Sequence, residues 1–146
     1  MAGTGKHLVL IAADESEHTA KTIDWYVESM HRSDFKVLIV YVLEITELFV
    51  EEDLNLNVWQ EVNDKIESVK TKYLEQLKSK GVEDAEAKVI QFGRPGEVIV
   101  REAQENGAVL IVMGTRGQGS VRRSIVGSVS NYVVHHAHCP VVVYRQ

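Results

Sequence analysis

Apolar and polar residues along this chain form blocks that are typical of buried strands separated by amphipathic helices. Apolar residues recur every three or four positions in the helical blocks, which begin near residues 17, 59, 94 and 128. Between them lie short apolar runs, and the first four are continuous rather than alternating, as in a parallel sheet covered on both faces. The predicted strands are 7–13, 35–43, 85–93, 108–114 and 139–145.

Residues that begin and end helices support this division of the chain. Ser16 and Ser128 are predicted N-caps, and Pro95 lies in the first turn of the third helix. The first helix is predicted over 17–31, and 44–57 is predicted as a loop or a short irregular helix. Alternating strands and helices predict an α/β fold, with residues 1–146 as a single domain built on an open, Rossmann-like five-stranded parallel sheet with right-handed crossovers.

Composition narrows the class of protein. The chain has 146 residues, one cysteine and no apolar run of membrane-spanning length, so we expect a cytoplasmic protein with no membrane partner. Its net charge of −5 argues against nucleic-acid binding. All 21 acidic residues lie in 1–105, whereas 106–146 carry four arginines and no acid. The carboxyl-terminal part is therefore suited to a small anion.

The glycine-rich stretch "MGTRGQGSVRRSIVGSVSNYV" (113–133) lies in this acid-free part, between the fourth predicted strand and the last helix. Ligands of open parallel sheets bind at the carboxyl ends of the strands, where the strand order reverses. Glycine allows backbone N–H groups to approach phosphate closely, and a helix N-terminus favours an anion. The stretch predicts a phosphate-binding loop, with the hydroxyls of Ser128 and Ser130 as further donors. A solvated connection is the alternative.

Three other clusters are weaker candidates for chemistry. Asp14, at the end of the first strand, suits a hydrogen-bond acceptor for a ribose or a base better than an acid–base catalyst. "GTGK" (3–6) lacks the preceding strand of a phosphate-binding loop. "HHAHC" (135–139) lacks a second ligand cluster, so we predict a surface helix end and no metal site. We assign no catalytic residue.

The spacing of the glycines resembles the nucleotide-binding motif of the universal stress protein family. Gly114, two residues, Gly117, nine residues, Gly127 and Ser128 match that motif completely. Segments such as "LVLIAADESEHTAKTIDWY" and "FGRPGEVIVREAQENGAVLIVMGTRG" extend the resemblance over essentially the whole chain. It implies a five-stranded parallel sheet in the order 3-2-1-4-5, with helices on both faces.

The resemblance also implies a binding site for ATP or another adenine nucleotide, with Mg²⁺ or Mn²⁺ held mainly by the phosphates. Asp14, after Ala12 and Ala13, is expected to contact the nucleoside. Val42 is expected to read the adenine edge through its backbone. The remaining residues are expected to line the ribose and phosphates: Met113, Gly114, Arg116, Gly117, Gly127, Ser128, Val129 and Ser130.

The function implied is that of a nucleotide-dependent stress-response switch or partner-binding module, joined as a homodimer through strand 141–145. An adenine-nucleotide-dependent enzyme is the alternative, and a dimeric module that binds no nucleotide is a third hypothesis. "AADESEH" (12–18) has none of the elements of an adenylyl-transferring enzyme, and the glycine-rich stretch has no carboxylate to orient a water. We therefore expect at most slow ATP hydrolysis or autophosphorylation.

Overall fold

A computed structural model describes residues 5–14, 16–43, 56–91, 93–115 and 127–145, and strands and helices alternate through them. The elements are β1 (His7–Ala13), α1 (Glu17–Ser29), β2 (Phe35–Val42), α2 (Leu56–Ser79), β3 (Ala85–Ile90), α3 (Pro95–Glu105), β4 (Leu110–Gly114), α4 (Ser128–His136) and β5 (Val141–Tyr144). None of the helices in these ranges is long and apolar enough to cross a membrane.

The five strands form one parallel sheet in the order β3-β2-β1-β4-β5, which confirms the predicted α/β fold and strand order. Strand β1 is central: Val9 pairs with Val37 of β2 on one side and with Leu110 of β4 on the other. The chain leaves β1 toward β2 and β3 and then returns to place β4 on the opposite side. The strand order therefore reverses between β1 and β4, where a ligand site is expected.

Two apolar layers cover the faces of the sheet. Val9 and Ile11 of β1 are fully buried among residues of α1 and α2, whereas Leu10 is fully buried in a second cluster with residues of α3 and α4. Successive residues of a strand point to opposite faces, so a strand covered on both sides must be apolar at every position. This requirement explains the continuous apolar runs of β1, β2 and β4.

Strand β3 departs from the prediction of a continuously apolar strand. Glu86 and Lys88 are exposed, and Ala85 and Ala87 are half-buried, so the strand alternates. Its position at the sheet edge is the physical reason, because one of its two faces remains accessible to water. Strand β3 also ends at Ile90 and not at residue 93, because the pair of Ile90 with Val42 is its last with β2.

Helix α1 buries a more polar face than its apolar spacing predicts. Ala20, Val27 and Met30 are only half-buried, although Ile23 is fully buried as expected. The buried residues of the helix are His18, Thr19, Thr22, Ile23 and Tyr26. The helix also ends at Ser29 rather than at 31, since the N–H groups of Met30 and His31 both donate to the carbonyl of Tyr26.

The other helix boundaries differ from expectation by a few residues. Helix α2 begins at Leu56, so the last two residues of the predicted 44–57 loop are helical, and residues 44–55 lie outside the described ranges. Ser16 occupies the N-cap position of α1, as predicted, but its side chain makes no capping hydrogen bond. Ser128 is not the N-cap of α4: Gly127 takes that position, and Ser128 is the first helical residue.

A buried hydrogen bond joins the end of α1 to the turn before β2. The hydroxyl of Tyr26 lies 2.8 Å from Nδ1 of His31, and burial raises the pKa of Tyr26 well above its usual value, so the hydroxyl keeps its proton. Burial, followed by the charge of Lys6, lowers the pKa of His31, although Asp34 opposes this effect. The folded protein therefore favours neutral His31.

We predict that the burial of His31 makes folding sensitive to acid. An unfolded His31 takes up a proton as the pH falls through its ordinary pKa of 6.5, whereas the folded chain resists protonation. The contribution of His31 to stability should be fully present above this pH and decline below it. Urea unfolding of wild type and His31→Asn at about pH 7.5 and pH 5.5 tests this. The variant should lose less stability on acidification, and equal losses would contradict the prediction.

Candidate functional site

A pocket lies at the carboxyl ends of β1, β2 and β4, where the strand order reverses. Its empty space is about 700 Å³ when open solvent at its mouth is counted. The pocket lies between the two helical layers, and its described lining residues come from strand ends and from the first turns of helices: Ala12, Ala13, Asp14, Ser16, His18, Thr19, Thr22, Val42, Pro95, Ile99, Met113, Gly114, Val129 and Ser130.

Most of the predicted site residues meet in this pocket. Those that line it are Ala12, Ala13, Asp14, Val42, Met113, Gly114, Val129 and Ser130. Gly127 and Ser128 lie at the start of α4, next to the lining residues Val129 and Ser130, but are not among the lining residues themselves. Arg116 and Gly117 lie outside the described residues. The structure thus brings together four segments that are far apart in sequence.

Asp14 is held at the edge of the pocket by a local hydrogen-bond network. Its Oδ1 accepts hydrogen bonds from the backbone N–H of Ser16 at 2.8 Å, from the hydroxyl of Ser16, and from the hydroxyl of Thr19 at 2.9 Å. The backbone N–H of Asp14 donates to Oγ1 of Thr19, and its carbonyl accepts from the hydroxyl of Tyr73 at 2.7 Å. These bonds fix the orientation of the carboxylate. They also explain why the Ser16 side chain does not cap α1.

Gly114 permits α1 to pack closely against the end of β4. A Cβ atom at this position would lie 2.4 Å from Oγ1 of Thr22 and 2.8 Å from Cδ2 of His18. Thr22 is fully buried, and its hydroxyl donates to the carbonyl of His18 at 2.8 Å, so it has little room to move. Gly114 is therefore required for packing, in addition to its predicted place beside a ligand.

His18 is a pocket residue that the sequence patterns did not predict. Its side chain is 8% exposed, and among the described side chains its Nε2 is a buried polar atom without a hydrogen-bond partner. The ring lies 6.1 Å from that of Tyr144, centroid to centroid. An unsatisfied buried polar atom costs about 1–3 kcal/mol, so it calls for an explanation. The sequence does place His18, Thr22 and Tyr26 one helical turn apart, on one face of α1. Only the structure shows that this face is buried.

The first turn of α4 supplies the opposite wall. Val129 is half-buried, Ser130 is only 3% exposed, and the Ser130 hydroxyl lies 3.5 Å from the carbonyl of Gly127. This helix has no acid in its first turn, so its positive end is not neutralised by its own side chains. Val42, Pro95 and Ile99 add apolar surface. The pocket thus combines an apolar wall, a fixed carboxylate and an anion-compatible helix end.

The site can be compared with known proteins. A model of the universal stress protein family matches residues 7–145. A Staphylococcus aureus (strain USA300) protein named as a universal stress protein is 34% identical over 138 residues, which are 94% of this chain and 82% of that protein. The family model extends over β1–β5, so it includes every described segment that forms the pocket.

Solved structures of low sequence identity share the fold. The universal stress protein UspA from Lactobacillus plantarum has a TM-score of 0.72 at 22% identity, covering 97% of this chain and 99% of that one. A family protein from Arabidopsis thaliana with AMP bound has a TM-score of 0.71 at 22% identity, covering 96% and 92%. One from Archaeoglobus fulgidus in complex with dAMP has a TM-score of 0.63 at 18% identity, covering 94% and 96%.

The importance of the close packing at Gly114 can be tested by substitution, with Gly127 as the control position. Gly114→Ala should destabilise the protein by about 1–3 kcal/mol, because the new methyl group overpacks against Thr22 and His18. Gly127→Ala adds the same methyl group where the nearest atom, Oγ of Ser130, is 4.0 Å away. It should cost about 1 kcal/mol or less as an N-cap change. Urea unfolding compares them, and equal losses would show that the close contact at Gly114 is unimportant.

Proposed function

We propose that this chain, which belongs to the universal stress protein family, binds ATP in the pocket at the end of its sheet. In this proposal it acts as a nucleotide-dependent switch or partner-binding module in a stress response. Binding a nucleotide without efficient turnover suits such a role, because the bound ligand then persists as a signal. Slow hydrolysis is compatible with it, whereas rapid turnover is not.

The pocket at the strand reversal is the observation that carries this proposal. Open parallel sheets bind nucleotides at such a position, and eight of the twelve site residues implied by the family resemblance line it here. Related structures support the ligand class: family proteins of the same fold were solved with AMP, with cAMP and with dAMP. The complete glycine spacing in this chain favours a nucleotide that carries several phosphates.

The geometry suggests how ATP would lie. The base would occupy the apolar side, next to Val42, and the ribose would lie near the fixed carboxylate of Asp14. The phosphates would reach the first turn of α4, where Ser130 lines the pocket. Mg²⁺ or Mn²⁺ would bind mainly to phosphate oxygens and water, so the site needs no cluster of protein ligands. Among the described residues, no group of three or more His, Cys, Asp and Glu side chains is suited to a metal ion.

Gly127→Val tests the phosphate end of this assignment. Gly127 has φ −72°, and a Cβ atom there would lie 4.0 Å from its nearest neighbour, Oγ of Ser130, so valine should fit the folded chain. Its branched side chain would nevertheless cover backbone N–H groups at the start of α4. We expect at least a ~10-fold loss of ATP affinity by calorimetry, equivalent to about 1.4 kcal/mol, with the fold retained.

Gly5→Val is the matched control. Gly5 also has open space around it, but it lies before the amino end of β1, away from the carboxyl ends that form the pocket. This variant should bind ATP like the wild type. Undiminished ATP binding by Gly127→Val would refute the phosphate assignment. Fast phosphate release by the wild type, lost in Gly127→Val, would instead favour the enzyme alternative.

We further propose that the chain forms a homodimer through β5. This strand is at the edge of the sheet, and its residues Val141–Tyr144 are half-buried and largely apolar. The carbonyls of Pro140 and Tyr144 accept hydrogen bonds from the β4 side. Because backbone groups alternate along a strand, those of Val141 and Val143 point away from β4. An exposed row of this kind invites pairing with a second copy.

Val143→Pro tests this dimer without removing a hydrogen bond to β4. Proline lacks the N–H that points outward and is tolerated at a sheet edge. We expect light scattering to show a dimer for the wild type at micromolar concentration and a monomer for Val143→Pro. Val143→Thr retains the N–H and should remain a dimer. A monomeric wild type, or a dimeric Val143→Pro, would contradict the proposed interface.

A further inference from the structure

His18 is a buried group that the proposed nucleotide site has not yet used. It lies in the first turn of α1, and its Nε2 is buried with no hydrogen-bond partner among the described residues. Buried polar atoms are nearly always paired with protein, ordered water or a ligand. The side chain lines the pocket, so the missing partner can be something that the pocket holds.

The position of Nε2 indicates which part of a nucleotide it would meet. Nε2 lies 3.4 Å from the place that a Cβ atom of Gly114 would occupy. Gly114 ends β4, from which the chain continues into the glycine-rich segment. The pocket runs from Val42 and Asp14 to Ser130 in the first turn of α4. His18 thus lies between the expected nucleoside end and the expected phosphate end of the site.

We propose that His18 is a ligand-contacting residue whose Nε2–H donates a hydrogen bond to an oxygen of the ribose 5′-phosphate part of the nucleotide, an inference that rests on the function proposed above. Every oxygen in this part accepts hydrogen bonds, and a neutral imidazole with its proton on Nε2 is a donor there. Binding would satisfy an atom that has no partner among the described residues of the free protein. His18 therefore favours the bound state over the free state.

Three substitutions separate a contact at Nε2 from a packing role. In His18→Gln the side-chain amide nitrogen takes nearly the position of Nε2, whereas in His18→Asn it takes that of Nδ1. His18→Leu removes both nitrogens and keeps an apolar side chain of similar size. By calorimetry we expect His18→Gln to bind AMP and ATP within about threefold of the wild type. His18→Asn and His18→Leu should weaken the binding of both nucleotides by about 10-fold, or about 1.4 kcal/mol.

Thermal unfolding of the free proteins supplies a second readout. Leucine removes the unpaired nitrogen, so free His18→Leu should melt at the same temperature as the wild type or higher, although it binds nucleotide more weakly. If His18 has only a structural role, His18→Leu should instead melt at a lower temperature than the wild type. Its folded fraction should then bind nucleotide with unchanged affinity. That pattern would overturn the proposal.

The ligand series locates the contacted oxygen. A loss in His18→Leu with AMP but not with adenosine assigns a phosphate oxygen, and a loss with both assigns a ribose oxygen; either supports the proposal. A loss of affinity confined to ATP would refute the proposal. So would affinities of His18→Leu and His18→Asn equal to those of the wild type. If the wild type binds none of these ligands, the nucleotide function itself fails, which distinguishes that outcome from a failure at His18.

Discussion

The close approach of α1 to the end of β4 is the contact on which the candidate site depends. It is possible only because Gly114 lacks a side chain, which leaves room for Thr22 and His18. This contact brings the first turns of α1 over the strand end, so one wall of the pocket is formed by helix residues rather than by a loop. A larger residue at 114 would push the helix outward and change the shape of the site.

The hydrogen bonds of Asp14 connect the pocket to the rest of the fold. Ser16 and Thr19 orient the carboxylate, and the hydroxyl of Tyr73, in α2, donates to the carbonyl of Asp14. Tyr73 is nearly completely buried, so this bond is shielded from water. The site is therefore supported by two helices that pack on the same face of the sheet. Such support would hold the carboxylate that is proposed to contact a ligand in place before the ligand arrives.

The pocket is polar on the α1 side and largely apolar on the side of α3 and α4. His18, Thr19 and Thr22 lie on the first side, and Ile99 and Val129 on the second. In the proposed arrangement the ribose would lie near the first side, and the phosphates would reach Ser130 at the start of α4 on the second. His18 lies on the polar side, and its Nε2 has no hydrogen-bond partner among the described residues. A nucleotide oxygen would provide the hydrogen-bond partner for Nε2 that the described protein residues do not.

The order of residues along the chain was enough to predict the fold and most of the candidate site. Continuous apolar runs such as β1 predicted a covered parallel sheet and placed Asp14 and Gly114 at its carboxyl edge, whereas Met113 and Val129 were implied by the family resemblance. Short stretches of sequence are sufficient for these predictions, because the burial of a strand and the spacing of glycines depend on residues that are close together in the chain. The alternation of Ala and charged residues in β3 is visible in the sequence, but its edge position is not, since edges are defined by which strands pair.

The buried face of α1, in contrast, was settled by packing in three dimensions. Sequence spacing favoured Ala20, Ile23, Val27 and Met30. Ile23 is fully buried, and Val27 and Met30 pack against the core while half-buried. The other buried residues of the helix are His18, Thr19, Thr22 and Tyr26. Polar side chains can be buried there because Thr22 hydrogen-bonds within the helix and Tyr26 pairs with His31. These partners are invisible to a pattern of hydrophobicity, which treats every polar residue as solvent-facing. His18 entered the site for the same reason: its position was set by the packing of a helix on a glycine, 96 residues away in the chain.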